Sequence, residues 1–275
     1  MITPEMTPEV AAYEIEDLWN PQNLHASDIE RVEFLFNRIP KDARTVLDVG
    51  SGGGVFVNYL QMHAKHLKRL CAVDRSKAAL KYVLTEKFNA EIASLPFDKG
   101  EFDLVACLEV IEHLPIRTYE RAIAELCRVS ARYVLLCVPN DQDLESSLVK
   151  CPLCCSRYNP DGHLRSFTYD RLANMFVRYG FSCQERYFVH KARQYVGLSW
   201  VLSLRRVAEK GLPWYAVCPV CGFQSGGTPT VRQAGGGVQP ARDNRFRRLA
   251  KRLWPKTFQY RWIAALYTRM DGKVT

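Results

Sequence analysis

Thr45-Val46-Leu47-Asp48-Val49-Gly50-Ser51-Gly52-Gly53-Gly54 joins a short apolar run to a turn with almost no side chains. The run is too brief for a helix, and four of the five residues after Val49 are glycine. Glycine reaches backbone angles that other residues avoid and lets a ligand approach the main chain. The stretch therefore predicts a buried strand over 45–49 that turns sharply into a helix over 55–66.

Working outward, apolar residues recur at helical spacing from Ile29 to Ile39, behind a capping-box pattern of Ser27 and Glu30, until Pro40 stops them. Beyond the loop the chain alternates. Strands are expected over 70–73, 102–107, 133–138 and 181–189, and helices over 77–87, 119–129, 169–179 and 191–211. Strands separated by helices of this length call for a mainly parallel, doubly wound α/β sheet covered on both faces, with ligands at the carboxyl ends of the strands. A further short strand over 214–223 runs into a cysteine pair.

Asp74 ends the strand after the loop, where a carboxylate can accept both hydroxyls of a ribose. The loop is not a dinucleotide fingerprint, because Asp48 precedes the first glycine and the spacing is Gly-x-Gly-x-Gly; nor does it end in the Gly-Lys-Ser/Thr of a phosphate loop. From about 28 to 189 the motif order resembles the class I S-adenosylmethionine-dependent methyltransferases, particularly the branch with quinone-biosynthesis enzymes (type 11-like). The resemblance rests on the loop at 46–54, Ala72-Val73-Asp74, Glu91-Ile92-Ala93-Ser94-Leu95-Pro96-Phe97 and the segment 102–114. It implies a Rossmann-like, seven-stranded, mainly parallel sheet and a methyl-transfer activity. It also implies that Gly50 and Gly52 approach the methionine part of the cofactor, Asp74 binds ribose, and Glu91 and Ile92 flank adenine. Asp48, Ser51, Arg75 and Leu108 complete the expected cofactor set, and Phe56, Leu108 and Phe167 are expected as an apolar floor. Where the family commonly has Asp, position 91 is Glu.

Glu109-Val110-Ile111-Glu112-His113 follows the fourth strand, and Gly162-His163 follows the fifth. On a helical turn Glu109, Glu112 and His113 would share one face. His113, His163 and Glu112 are the expected catalytic residues, an imidazole titrating near pH ~6.5 being suited to accept a hydroxyl proton. Glu109, Glu112, His113 and His163 could alternatively hold Mg²⁺, Mn²⁺ or Zn²⁺. That set resembles the metal-binding residues of methyltransferases acting on polyprenyl catechols and on the terminal 2′-hydroxyl of small RNAs.

Ten cysteines, without a secretory leader pattern, read as metal ligands or buried thiols. Cys151-Pro152-Leu153-Cys154 and Cys218-Pro219-Val220-Cys221-Gly222 repeat one turn. Four thiolates make a closed tetrahedral Zn²⁺ site, a structural metal with no position left for water. Cys155 and His163 are spare ligands.

The net charge of +9 is confined to one part of the chain. From Ser225 onward there are eleven Lys/Arg and two acids, so the preceding residues carry as many acids as bases. The expected organisation is a lead-in or flap over 1–26, with Tyr13, Ile15, Leu18 and Trp19 as anchors, and a methyltransferase domain over 27–224 with zinc knuckles at 151–155 and 218–222. A Gly-rich linker over 225–240 and a basic amphipathic appendage over 241–275 follow. That appendage suits peripheral contact with an anionic membrane, packing on the body, or phosphate contacts with RNA. No apolar stretch approaches the roughly 20 residues of a membrane span, so a cytoplasmic chain is expected, at most peripheral to the inner face of a membrane. The expected reaction is O-methylation of a small-molecule, lipid-linked or glycan acceptor. RNA 2′-O-methylation and a non-catalytic cofactor-binding scaffold are the alternatives.

Overall fold

The computed structural model describes residues 13–195, 212–213, 215–225 and 256–270. Nine strands are found among them: β1 (Thr45–Val49), β2 (Arg69–Asp74), β3 (Glu86–Asn89), β4 (Phe102–Leu108), β5 (Ser130–Pro139), β6 (Val149–Lys150), β7 (Arg157–Tyr158), β8 (Phe181–Tyr195) and β9 (Lys256–Arg269). The helices are α1 (Ala26–Phe36), α2 (Val55–His63), α3 (Lys77–Leu80), α4 (Ile116–Val129) and α5 (Tyr169–Leu172). Seven strands form one sheet in the order β3-β2-β1-β4-β5-β9-β8. β3, β2, β1, β4 and β5 are mutually parallel, and β9 runs antiparallel to both of its neighbours.

Strand side chains alternate between faces, and the two cores divide accordingly. Leu47, Val49, Val105, Cys107, Val134, Leu136, Ile263 and Ala265 face a cluster completed by Ile123 and Leu126 of α4 and Leu172 of α5. Val46, Leu104, Ala106, Leu135, Cys137 and Ala264 face the opposite cluster, closed by Val32 and Leu35 of α1 and Phe56 and Leu60 of α2. Each central strand is thus apolar on both sides, as a sheet covered by helices on both faces requires.

Several local expectations are corrected. The start of α1 lies earlier than Ser27: the Asp28 carboxylate accepts from the His25 N–H at 3.1 Å, which places the cap at His25. The helix expected over 77–87 is only one turn, and Glu86–Asn89 is instead the edge strand β3. Its charges have partners there, since Arg69 of β2 binds Glu86 at 3.0 Å. The helix over 169–179 resolves into α5 and a 3₁₀ turn at Val177–Tyr179. Residues 191–195 extend β8, against the helix expected over 191–211, whose remainder lies outside the described residues. The strand over 214–223 is reduced to a single bridge between Val217 and Gln224.

The largest correction concerns the appendage over 241–275. Residues 256–269 of it are β9, inserted between β5 and β8, with Trp262, Ile263, Ala264, Ala265 and Tyr267 buried. An aromatic, basic pattern expected to form part of an amphipathic appendage is a strand with one apolar residue set on each face of the sheet. The domain boundary at 224 therefore cuts off a strand that the sheet needs. Residues 226–255, holding nearly all of the proposed linker and the first part of the tail, lie outside the described residues. Among the described residues no helix is long and apolar enough to cross a membrane.

Candidate active site

The loop after β1 is pinned to β2 by the main chain. Gly50 and Ser51 both donate to the Val73 carbonyl, at 2.8 and 3.0 Å. Gly50 sits at φ +71, and a Cβ there would lie 2.4 Å from Val110 Cγ2, so the position requires glycine both for its angle and for space. Asp74 holds the same loop: its Oδ2 accepts from Gly52 N–H and its Oδ1 from Ser76 N–H, each at 2.8 Å. A carboxylate offers about four lone-pair sites, so this one keeps capacity for two ribose hydroxyls. Burial raises the Asp74 pKa above the usual carboxylate value.

A cleft of about 1710 Å³ opens at the carboxyl ends of the strands. Gly50, Asp74, Arg75, Glu91 and Ile92 of the expected cofactor set line it. Arg75 and Glu91 approach each other at 3.5 Å. Other members fall elsewhere. Leu108 packs with the α1/α2 cluster, Phe56 is buried in that cluster and Phe167 in the opposite one. The floor is instead made by the residues just after β4, Val110 and Leu114. Asp48 lies within β1 at 2% exposure, and burial pushes its pKa to about 7. Ser51 is not among the residues that line the cleft, and Gly52 and Gly53 lie beneath a cover formed by the N-terminal segment. A Cβ on Gly52 would meet the Trp19 ring at 2.6 Å. The Tyr13 carbonyl accepts from Trp19 Nε1 and Ser76 Oγ, both at 2.7 Å. Glu14 accepts from the first amides of α3, Lys77 at 3.1 Å and Ala78 at 3.2 Å. The aromatic anchors noted in the sequence thus form a strap over the glycine loop, and the Tyr13 ring reaches His113 edge-on at 6.1 Å.

Glu112, His113 and His163 come together: one ligand atom from each lies within 4.8 Å of the others. Only a 3₁₀ turn, Ile111–His113, carries the first two. The imidazoles of His113 and His163 meet edge-on with centroids 4.7 Å apart, and both line the cleft. Glu112 is fully buried, and neither of its carboxylate oxygens has a hydrogen-bond partner. Burial, with Glu109 nearby, pushes the Glu112 carboxyl well above its ordinary pKa. Burial and the neighbouring His163 hold His113 down at about 3, and burial lowers His163 too. His163 Nδ1 lies 2.5 Å from Gln142 Oε1, a contact that fixes the orientation of its ring.

Glu109 does not join this group. Its backbone is left-handed at φ +61, which breaks the helical turn on which the shared face depended. Its Oε2 instead accepts from Trp262 Nε1 at 2.6 Å and lies 3.3 Å from Arg31 Nη1. The expected quartet is a trio, with Glu109 tying β4 to α1 and β9.

The two cysteine pairs also meet. Cys151 and Cys221 sulfurs are 3.6 Å apart, as are those of Cys154 and Cys218, and all four lie within 4.8 Å of one another. The two turns are copies: Cys155 N–H donates to the Cys151 carbonyl at 3.0 Å, and Gly222 N–H to the Cys218 carbonyl at 2.9 Å. Cys155 (φ +62) and Gly222 (φ +73) fill the same left-handed position, so Cys155 is a turn residue outside the cluster. The Ser156 hydroxyl and amide lower the Cys154 thiol pKa, while, against the Phe223 amide, the other sulfurs of the cluster raise that of Cys221, as expected of thiols sharing protons at close range. Four sulfurs so placed fit tetrahedral Zn²⁺.

Residues 23–186 match the family described as methyltransferase domain. The chain belongs to that family. The sheet order and the loop place this methyltransferase in the class I, S-adenosylmethionine-dependent branch. It is 31% identical over 113 residues to the ubiquinone biosynthesis O-methyltransferase of Coxiella burnetii, a match covering 36% of this chain and 47% of that protein. A protein of the same name from Xylella fastidiosa is 28% identical over 111 residues, covering 35% of this chain and 44% of its own. The methyltransferase therefore spans about half the length of the curated relatives it matches. Among solved structures, a chain from the Haloferax volcanii complex containing the Trm112 methyltransferase activator superposes with a TM-score of 0.55 at 11% identity, covering 96% of this chain and 97% of that one. The YcgJ protein of Bacillus subtilis gives 0.51 at 13% identity, covering 89% and 100%. At such identities the likeness is one of fold.

Of the residues expected from the sequence, Gly50, Asp74, Arg75, Glu91 and Ile92 line the cleft, three of the expected four, Glu112, His113 and His163, come together, and the four cysteines form a separate cluster. Val110, Gln142, Asp161 and Tyr215, which also line the cleft, were missed. Val110 had a signal in the chain, since a β-branched residue two positions after β4 faces a loop nearly without side chains to fill the gap.

Proposed function

We propose that this chain transfers a methyl group from S-adenosylmethionine to a hydroxyl oxygen of a small-molecule, lipid-linked or glycan acceptor. The observation that carries the reading is Glu112, a buried carboxyl group with two unpartnered oxygens set against two imidazoles at the mouth of the donor cleft. When bound, the donor supplies an electrophilic sulfonium methyl. The protein then needs to align an acceptor oxygen and dispose of its proton. Gly50 admits the donor to the main chain, Asp74 takes ribose hydroxyls on its remaining lone pairs, and Ile92 with Glu91 flanks the base. The Trp19 strap and Val110 exclude water.

A buried carboxyl group with neither oxygen partnered is costly even when neutral, and a cation held by Glu112, His113 and His163 would both satisfy it and favour its ionised form. Two imidazoles favour Zn²⁺ over Mg²⁺, and the carboxylate beside them also admits Mn²⁺. Such an ion would lower the pKa of the acceptor hydroxyl. Burial and the neighbouring His163 keep the His113 imidazole neutral, the form in which it can serve as a ligand. Cys151, Cys154, Cys218 and Cys221 would hold a separate structural Zn²⁺. The basic stretch at 242–252 supports contact with an anionic surface.

Calorimetric titration with S-adenosylhomocysteine tests the donor site. The wild type is expected to bind, and Asp74→Asn to bind at least about tenfold more weakly, having lost charge-assisted bonds to ribose. Asn is preferred to Ala because it keeps an acceptor for the loop amide. Absence of binding by folded wild type would overturn the reading. Release of S-adenosylhomocysteine on incubation with donor and acceptor extract separates an enzyme from a scaffold, and sensitivity of that release to RNase would move the acceptor to RNA.

A further inference from the structure

The second cysteine knuckle is joined by one side-chain hydrogen bond to the loop that carries His163. Tyr215, just ahead of Cys218, donates its hydroxyl to Asp161 Oδ1 at 2.7 Å, across the wall of the cleft that both line. Asp161 belongs to a turn closed by Asn159, whose side chain accepts from Asp161 N–H at 2.9 Å and whose carbonyl accepts from Gly162 N–H at 3.1 Å. Gly162, at φ +74, brings the main chain so near His113 that a Cβ there would lie 3.4 Å from Nδ1. His163 follows directly, and the next amide, Leu164 N–H, donates to the Glu112 carbonyl at 2.8 Å.

The strand entering this turn is tied to the first knuckle. β7 pairs with β6, the two strands flanking Cys151 and Cys154. Tyr158 of β7 is buried with Cys151, Ala216 and Cys218. The turn 159–162 is therefore anchored behind by the sulfur cluster and in front by His113 and Glu112. The exposed carboxylate of Asp161 gives it a third anchor, from the other knuckle.

We propose that Tyr215 is a positioning residue: through Asp161 it transmits the geometry of the four-cysteine site to His163, so that zinc binding sets the orientation of the imidazole pair at the acceptor end of the cleft. The proposal rests on reading the cysteines as a zinc site and the trio as the reacting end. A hydroxyl donating to a carboxylate makes a charge-assisted bond, and here it adds a lateral restraint to a turn already held behind and in front. A partner bonded directly to a metal ligand typically alters metal affinity by about 10–100-fold; Tyr215 acts one contact further out, through the backbone of the turn, so the lower end of that range is expected.

The test uses the full-length, zinc-loaded protein and the NMR signals of its imidazole Cε1–Hε1 groups, with His113 and His163 assigned by single Gln substitutions. The other four of the six histidines serve as internal references. Tyr215→Phe removes one hydroxyl. It is expected to keep zinc at wild-type stoichiometry and S-adenosylhomocysteine affinity, while the His163 and His113 signals shift and broaden and added Mn²⁺ binds about tenfold more weakly. Asp161→Asn, which retains an acceptor oxygen, is expected to keep both signals near their wild-type positions. Unmoved His163 and His113 signals in zinc-loaded Tyr215→Phe would overturn the coupling. Zinc absent from the wild type would overturn it at its source, independently of the donor reading, which the calorimetry decides.

Discussion

Asp48 lies in β1 between two fully buried apolar residues, Leu47 and Val49, with its Oδ2 lacking a hydrogen-bond partner and Asp74 close by. Burial makes the charged form costly, so the carboxyl titrates near 7 in the folded chain instead of near 3.8. Between these values the folded protein keeps a proton that the unfolded chain has released. Stability therefore falls as the pH rises through that window, and the full cost is present above it. At about 1.4 kcal/mol per pH unit the cost reaches up to about 4 kcal/mol. Asn has nearly the same shape and no charge. Urea denaturation from pH 4 to 8 should find Asp48→Asn as stable as wild type at the acid end and more stable by a few kcal/mol at pH 8. Curves that run parallel across the range would mean that the carboxyl ionises as freely as in water. Glu109 shows a different limit at the residue scale. Its spacing from Glu112 and His113 was visible, but its direction was not, because one left-handed backbone angle turns it toward Arg31 and Trp262.

Elements were legible where pattern and environment agree. β1, β4 and β5 are apolar on both faces, and their neighbours along the chain supply helices, so periodicity and burial point the same way. β3 was not legible, because an edge strand needs no apolar face and Glu86-Lys87-Phe88-Asn89 continues the composition of a helix. The cysteine knuckles were legible for the opposite reason: a Cys-Pro-x-Cys turn is local, and its geometry is fixed within five residues. What the sequence did not tell was that Cys155 takes the left-handed angle that Gly222 takes in the other copy. Metal analysis should find about one zinc per chain that resists dialysis. Cys218→Ser should lose it and lower the melting temperature, because Cys218 is fully buried and the hydroxyl is a poor zinc ligand. A variant that keeps its zinc, or loses it without destabilisation, would remove the structural role of the cluster.

The molecule as a whole is closed by a strand from the far end of the chain. β9 lies between β5 and β8, so every hydrogen bond that holds β8 to the sheet passes through it. Sequence periodicity missed this, because the strand follows a strongly basic stretch and its charged residues flank an apolar centre short enough to read as part of an amphipathic helix. The burial is unambiguous: Tyr267 is fully buried, donates to the Leu172 carbonyl at 2.6 Å and packs edge-on against Phe176, while Arg269 donates to the Ala131 carbonyl at 2.9 Å. A truncation after residue 255 would thus expose the facing edges of β5 and β8 and the apolar surface beneath them, both of which favour aggregation. Such a chain is expected to be recovered as aggregate, or to lose cooperative unfolding by circular dichroism. Charge reversal at Arg245, Arg247 and Arg248 alters the basic stretch and replaces no residue of β9, and should leave the melting temperature within a few degrees of wild type. A cooperatively folded truncated chain would show that β8 can pair directly with β5, and that the last strand is an attachment to the sheet and not its keystone.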